Sequence, residues 1–265
     1  YEICACLVGS EMCIRDSIHP STDGHLVMAY LFLKAQGLAG KPVADIRIDG
    51  AGKKVTRSDN CRVSDLSVSS DNLTFTYEAK SLPYPIDTSY YDNEKHTQAD
   101  ALSVIPFMDE MNYEGLSVSG LSDGYYGLTI GGEFIGRFTA RELERGINMA
   151  LLQNTPQYKQ AMKIRQMNEE RWLKERKMRE FYWVEYNLMR KTGMLWACDE
   201  AAVDTLRKYR PHDIFLQWNG DLWLQYMHKG IREDCVNEQQ NLVDRIYEQN
   251  KPIPLRIEIK KFTDL

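Results

Sequence analysis

The hydrophobic period changes partway along the chain, and this change restricts the fold more than any other feature. Between Val43 and Phe138, short runs alternate apolar and polar residues and are separated by Asp-Gly, Ser-Asp-Asn and Gly-Gly turns, a pattern typical of antiparallel strands. From Thr155 to Gln249 the composition becomes helical, with one long amphipathic helix expected over Thr155 to Arg190. The sequence therefore predicts a β-rich part followed by helices, and the late segment PLRIEIKKF predicts a closing strand.

Local signals set some expected helix ends. Thr139 and Glu142 form a capping box, which predicts a helix running through ARELERGINMALLQ. A second helix is expected near Ala99 to Met111, after a Pro-containing stretch. Breaks are expected in the C-terminal helices at Arg210-Pro211 and at Asn219-Gly220.

Composition narrows the classes of protein to consider. The chain has 265 residues, 43% of them hydrophobic, and a formal net charge of -5, so a packed core is expected and binding to nucleic acid is not. No apolar run reaches the length of a membrane span. The location stays open, because secretion or a periplasmic location would follow if a signal peptide precedes these residues.

The cysteines give little support for a metal site. Three of the six lie within the first thirteen residues, and no CxxC pair or metal-spaced histidine accompanies them. We therefore expect neither a metal nor a cofactor.

A histidine-containing segment near the N-terminus carries the clearest chemical signal. Asp16-Ser-Ile-His19-Pro20 leads through Gly24-His25 into the apolar stretch LVMAYLFLKAQGL. Proline restricts the residue before it to an extended conformation, so His19 is expected on a defined loop before a buried helix that stops at Gly37. His25 begins that helix and is expected to pack or cap.

The block DxxHP, GH and an MA-containing helix resembles the last conserved block of SGNH (GDSL-like) ester hydrolases, over about Asp16 to Leu38. The resemblance implies that His19 is the general base and that Asp16 orients its ring. It also implies that residues 18–40 are the end of a flavodoxin-like α/β domain.

Other SGNH blocks do not occur in this sequence. It contains neither Gly-Asp-Ser, which carries the family's nucleophile, nor Gly-x-Asn-Asp, which supplies an oxyanion donor. Gly120-Leu-Ser122-Asp-Gly124 has the letters of a G-x-S-x-G elbow, but strand-like residues flank it on both sides. Ser122 is therefore expected in a turn.

Residues 1–17, YEICACLVGSEMCIRDS, have no clear period, cap or turn pattern. The peptide LVGSEMCIRDS resembles the translation of a sequencing adapter, and Asp16 lies inside it. An ordinary buried N-terminal strand is the alternative interpretation.

These observations predict four segments: residues 1–17 as non-native, 18–40 as the end of the hydrolase domain, 41–138 as a β-rich module and 139–265 as mainly helical. The first functional hypothesis is the C-terminal portion of an SGNH esterase that acts on small esters of short acyl groups, with acylated carbohydrates as one candidate substrate class. This portion is expected to be inactive alone. The second is a non-catalytic glycan- or protein-binding module, for which Trp218, Asp221 and Trp223 are candidate sugar contacts. The third is a helical interaction protein using residues 155 to 250. The oligomeric state is left open.

Overall fold

The computed structural model describes residues 20–89 and 96–262. It divides into two compact units. The first contains the described residues up to Met162 together with those from Lys251 onward, and the second is Lys163–Asn250. The four predicted segment boundaries stay predictions.

The first unit combines short helical segments with two β-sheets. Its helices are α1 (Thr22–Ala35), the single turn α2 (Phe107–Glu110) and α3 (Ala140–Arg145), with 3-10 turns at Gln98–Ser103 and Met149–Leu151. Its strands are β1 (Ala44–Asp49), β2 (Lys54–Asp59), β3 (Cys61–Val68), β4 (Asn72–Ala79), β5 (Glu114–Ser119), β6 (Tyr125–Ile130), β7 (Glu133–Thr139), β8 (Ile147–Asn148) and β9 (Leu255–Lys261).

The first sheet is mixed, with strand order β2-β1-β5-β8. Its central pair, β1 and β5, is parallel and sets Ile46 opposite Leu116, both of which are fully buried. A parallel pair needs a long crossover, and here the crossover contains three further strands and two helical turns.

The second sheet is antiparallel, with strand order β3-β4-β9-β6-β7. Strand β9 lies in its centre, where Ile257 pairs with Phe75 on one side and Ile130 on the other. The alternation in LTFTYEA buries Leu73, Phe75 and Tyr77, as the period of two requires. The expected closing strand is therefore confirmed, and it is an interior strand.

Turn chemistry explains the strand boundaries. Gly131 and Gly132 both have positive φ, 59° and 86°, which matches the two-residue turn favoured in hairpins. Asn60, at φ 54°, separates β2 from β3 within what the sequence presents as one strand-like run.

Two expected helices are wrong in extent. The region from Ala99 to Met111 contains a 3-10 turn and the short α2 in place of one helix, because Pro106 cannot continue a helix. The helix opened by Thr139 ends at Arg145, since Gly146 adopts φ 95° and residues 147–148 pair with β5.

The second unit is helical. Most of α4 (Pro156–Val184) belongs to it, followed by a π-helical turn at Glu185–Met189, α5 (Glu200–Tyr209), a 3-10 turn at Arg210–His212, α6 (Ile214–Tyr226) and α7 (Lys229–Gln249). Phe181, Leu206 and Trp223 form the centre of its core. The long predicted helix is confirmed.

Of the two predicted helix breaks, the one at Arg210-Pro211 is confirmed and the one at Asn219-Gly220 is wrong. Helix α6 continues through Gly220. A side chain there would lie about 3.2 Å from the Arg210 guanidinium, which donates to Asp221 at 2.6 and 2.7 Å and to the Gln217 carbonyl at 3.1 Å. Glycine at position 220 allows the Arg210 side chain to pack closely against α6.

The predicted fold class is confirmed in its layout: an α/β part with mixed and antiparallel sheets precedes a helical C-terminal region. Among the described residues, each helix is too short or too polar to cross a membrane.

Candidate functional site

The two predicted catalytic residues, Asp16 and His19, lie outside the described residues. The described chain begins with Pro20, the residue directly after His19. The structure therefore describes the segment that directly follows the histidine.

The first turn of α1 is held by a buried carboxylate. One oxygen of Asp23, Oδ1, accepts hydrogen bonds from the Ser21 hydroxyl and from the Gly24 amide, the latter at 2.9 Å. The Ser21 carbonyl accepts from the His25 amide at 2.9 Å. These bonds fix the backbone directly after Pro20.

Asp23 also has an unusual second oxygen. Its side chain is fully buried, and Oδ2 has no hydrogen-bond partner among the described residues. A buried carboxylate oxygen without a donor is costly. Sequence reasoning missed Asp23, although its place between Ser21 and Gly24, next to the histidine loop, was visible.

Helix α1 is anchored by its apolar face and by one polar triad. Leu26, Val27 and Tyr30 are buried in a cluster formed with residues of the 3-10 turn and α2. The Tyr30 hydroxyl donates to Glu110 Oε2 at 2.7 Å, and Lys34 Nζ donates to that hydroxyl at 2.8 Å. Hydrogen bonds from Lys34 and Tyr30 lower the pKa of Glu110. The helix after the histidine is thus fixed to the β-rich part of its own unit.

Ser122 lies where the sequence predicts it, whereas the expectation that the His25 side chain packs against or caps the helix is wrong. The His25 side chain is exposed in the first turn of α1, so catalysis is not assigned to it. Ser122 lies in the turn between β5 and β6, where Tyr126 and Lys261 contact its hydroxyl at 3.1 and 2.8 Å. A second strand follows this turn, so the elbow pattern is coincidental.

A buried polar cluster in the first unit is formed by one residue of each sheet and one residue at the start of α4. Glu114 is fully buried and accepts hydrogen bonds from the Tyr77 hydroxyl at 2.8 Å and from Gln157 Nε2 at 3.2 Å. Burial raises the pKa of Glu114 to about 7 and also raises that of Tyr77. Because all three side chains are buried, we interpret the cluster as structural.

The three candidate sugar contacts do not share a surface. Trp223 is in the core and donates to Glu185 Oε1 at 2.8 Å, whereas Trp218 is exposed and Asp221 is paired with Arg210. In the described part of the chain, no group of three His, Cys, Asp or Glu side chains is arranged to hold a metal ion.

Two comparisons define the class of protein that the chain resembles. Residues 162–251 match the family model described as the diltiazem deacetylase C-terminal helical domain, and this range coincides closely with the second unit, Lys163–Asn250.

The second comparison found a solved structure that is described as a gut microbial diltiazem-metabolizing enzyme. It is 39% identical to this chain, with a TM-score of 0.90, and the match covers 98% of this chain and 60% of that chain. The chain thus spans about 60% of the relative's length. A search among curated proteins found no match.

Proposed function

We propose that this chain is the C-terminal portion of an SGNH-type serine ester hydrolase that removes short acyl groups, and that His19 is its general base. The observation that carries the proposal is the match, at 39% identity over 98% of the chain, to an enzyme described as diltiazem-metabolizing. The matched family is named for a deacetylase, and removal of an acetyl group is chemistry of the proposed kind.

In the proposed mechanism, His19 takes the proton of a serine hydroxyl while that oxygen attacks the ester carbonyl. The same proton passes to the departing alcohol as the acyl-enzyme forms. Water then attacks the acyl group, His19 accepts the water's proton, and that proton returns to the serine as the acid leaves. Asp16 would orient the ring and stabilise the imidazolium ion.

The hydrogen bonds that follow Pro20 support the proposed role of His19 as a general base. The hydrogen bonds of Asp23 and Ser21 fix the residues directly after Pro20, and a base must be held within hydrogen-bond reach of its proton donor. The serine and the oxyanion donors would come from upstream blocks of the Gly-Asp-Ser and Gly-x-Asn-Asp kind. The substrate is proposed as a small ester, acylated carbohydrates included.

The test begins with a long-read sequence of the locus upstream of codon 18, followed by expression of the protein that the frame encodes. Hydrolysis of p-nitrophenyl acetate is measured for the wild type, His19→Gln and His25→Gln. We expect His19→Gln to lower kcat by about 10² to 10⁴-fold, the usual contribution of a general base. His25→Gln, the matched control in the exposed first turn of α1, should retain activity.

Full activity of His19→Gln would refute the assignment of the base. A genuine upstream frame without a Gly-Asp-Ser block, together with no esterase activity, would refute the hydrolase and favour the non-catalytic binding module.

A further inference from the structure

The second unit contains a cleft that the proposed ester chemistry does not use. Its volume is about 350 Å³, at the lower end of the range for small-molecule sites. Its lining includes Trp183 from α4, Lys191 from the turn that follows, and Tyr209, His212 and Leu216 from the next two helices and their junction. Three successive helices and the segments that join them therefore contribute to the cleft.

One wall of the cleft is formed by the Trp183 side chain, which packs against a neighbouring aromatic ring. The Trp183 ring lies 5.3 Å from the Phe215 ring, centroid to centroid, at an interplanar angle of 38°. Leu188 and Leu216 are buried beside it. An indole ring held in this way presents a preformed face for another flat ring, because little side-chain freedom remains to be lost on binding.

The backbone at the cleft departs from regular helix. Helix α4 passes into the π-helical turn Glu185–Met189, which places Asn187 and Leu188 on the cleft. Such turns occur frequently at functional sites. Here the turn is stabilised by buried Glu185, which accepts hydrogen bonds at 2.8 Å from the Trp196 amide and from Trp223 Nε1.

The polar groups of the cleft favour an anion. Asp213, its one carboxylate, already accepts hydrogen bonds from the Phe215 and Leu216 amides at 2.8 and 3.2 Å, as the N-cap of α6. Lys191 and His212 have no ion pair or hydrogen-bond partner among the described residues. The cleft thus offers N–H donors on Lys191 and His212, while Oδ1 of its one carboxylate is occupied by backbone amides.

We propose that this cleft binds a small aromatic carboxylate, with the ring stacked on Trp183 and the carboxylate bound by Lys191 and His212. A neutral aromatic molecule would gain the stacking but not the ion pair. All of the residues named for this site belong to the second unit, and the proposal does not depend on ester hydrolysis.

The test is calorimetric titration of the full chain with 2-naphthoate and with its neutral analogue 2-naphthylmethanol. Because one exposed ion pair contributes little, we expect the acid to bind about fivefold more tightly than the alcohol. Lys191→Met should reduce this difference, with His212 as the remaining donor, while leaving alcohol binding unchanged, and Trp183→Leu should weaken both ligands. Lys163→Met removes an exposed charge early in α4 and serves as the matched control, with wild-type affinities expected.

Three outcomes would overturn the proposal: no binding of either ligand, equal affinities of the wild type for acid and alcohol, or an unchanged preference for the acid in Lys191→Met. Since the readout is binding, none of them bears on whether the intact protein is an esterase.

Discussion

Glu114 places an ionisable group in the core of the first unit, and its surroundings suggest which form it takes. Within the described ranges, two buried oxygens of this cluster, Glu114 Oε2 and Gln157 Oε1, have no hydrogen-bond partner, while Gln157 Nε2 donates to the other Glu114 oxygen. A proton on Oε2 would remove the negative charge from this buried side chain. The neutral acid therefore fits the site.

This burial predicts a pH-dependent stability. The pKa of Glu114 is raised from 4.5 to about 7 in the folded chain, so the folded state retains a proton that the unfolded state releases. The proton on Glu114 stabilises the folded state, and this stabilisation is fully present below about pH 4.5. It is lost as the pH rises through about 7, and the free energy of unfolding then falls by roughly 3 kcal/mol. Guanidinium unfolding at pH 5 and pH 8 measures it.

Glu114→Gln keeps the shape of the side chain and removes the ionisation, so its stability should vary less between these two pH values than that of the wild type. Glu144→Gln, at an exposed position in α3, should keep the wild-type dependence. Equal pH dependence of the wild type and Glu114→Gln would contradict a proton held on Glu114.

At the scale of single elements, the cap of α3 offers a quantitative test. Thr139 Oγ1 accepts from the Glu142 amide at 3.2 Å, while Glu142 accepts from the Thr139 amide at 2.7 Å. Loss of such a cap costs about 1 kcal/mol, so Thr139→Ala should lower the denaturant midpoint. Thr139→Ser retains the hydroxyl and should stay close to the wild type. Equal losses in both variants would mean that the methyl group, not the cap, is what matters.

The same elements show which features are readable from sequence. The Thr139 cap, the Gly131-Gly132 turn and the stop of α1 before Gly37 depend on neighbouring residues alone, and each was predictable. The end of α3 at Gly146 was not, because it depends on pairing between β8 and β5. The continuous helix at Gly220 depends on the Arg210 side chain lying over it, a contact that the hydrophobic period does not report.

At the scale of the molecule, long-range pairing limits what sequence can predict. The PLRIEIKKF segment predicts a strand. Its place between β4 and β6 depends on pairing with strands that precede it in the sequence by the length of the whole helical region. The cleft at Trp183 is similar, because Lys191 and His212 meet there only after three helices have packed. The assignment of His19 as a base stays a prediction from a short motif, and burial of the neighbouring Asp23 side chain depends on the packing of α1, which the motif does not specify.

The central position of β9 predicts a large effect from one small change near the end of the sequence. Ile257 is fully buried between Phe75 and Ile130, so Ile257→Ala should cost about 2 to 5 kcal/mol through lost burial and a cavity. Lys260→Ala, at an exposed position on the same strand, should change stability by less than about 0.5 kcal/mol. Scanning calorimetry compares them, and similar melting temperatures for the two variants would argue against an interior β9.

The same topology has a consequence for synthesis on the ribosome. The hairpins β3–β4 and β6–β7 emerge before the helical region, yet the strand that joins them emerges after it. Until then, β4 and β6 each present an unpaired edge with apolar side chains, which is the kind of surface that recruits chaperones or aggregates. The yield of native protein in a cell should therefore depend on how quickly translation proceeds from Lys163 to Lys261.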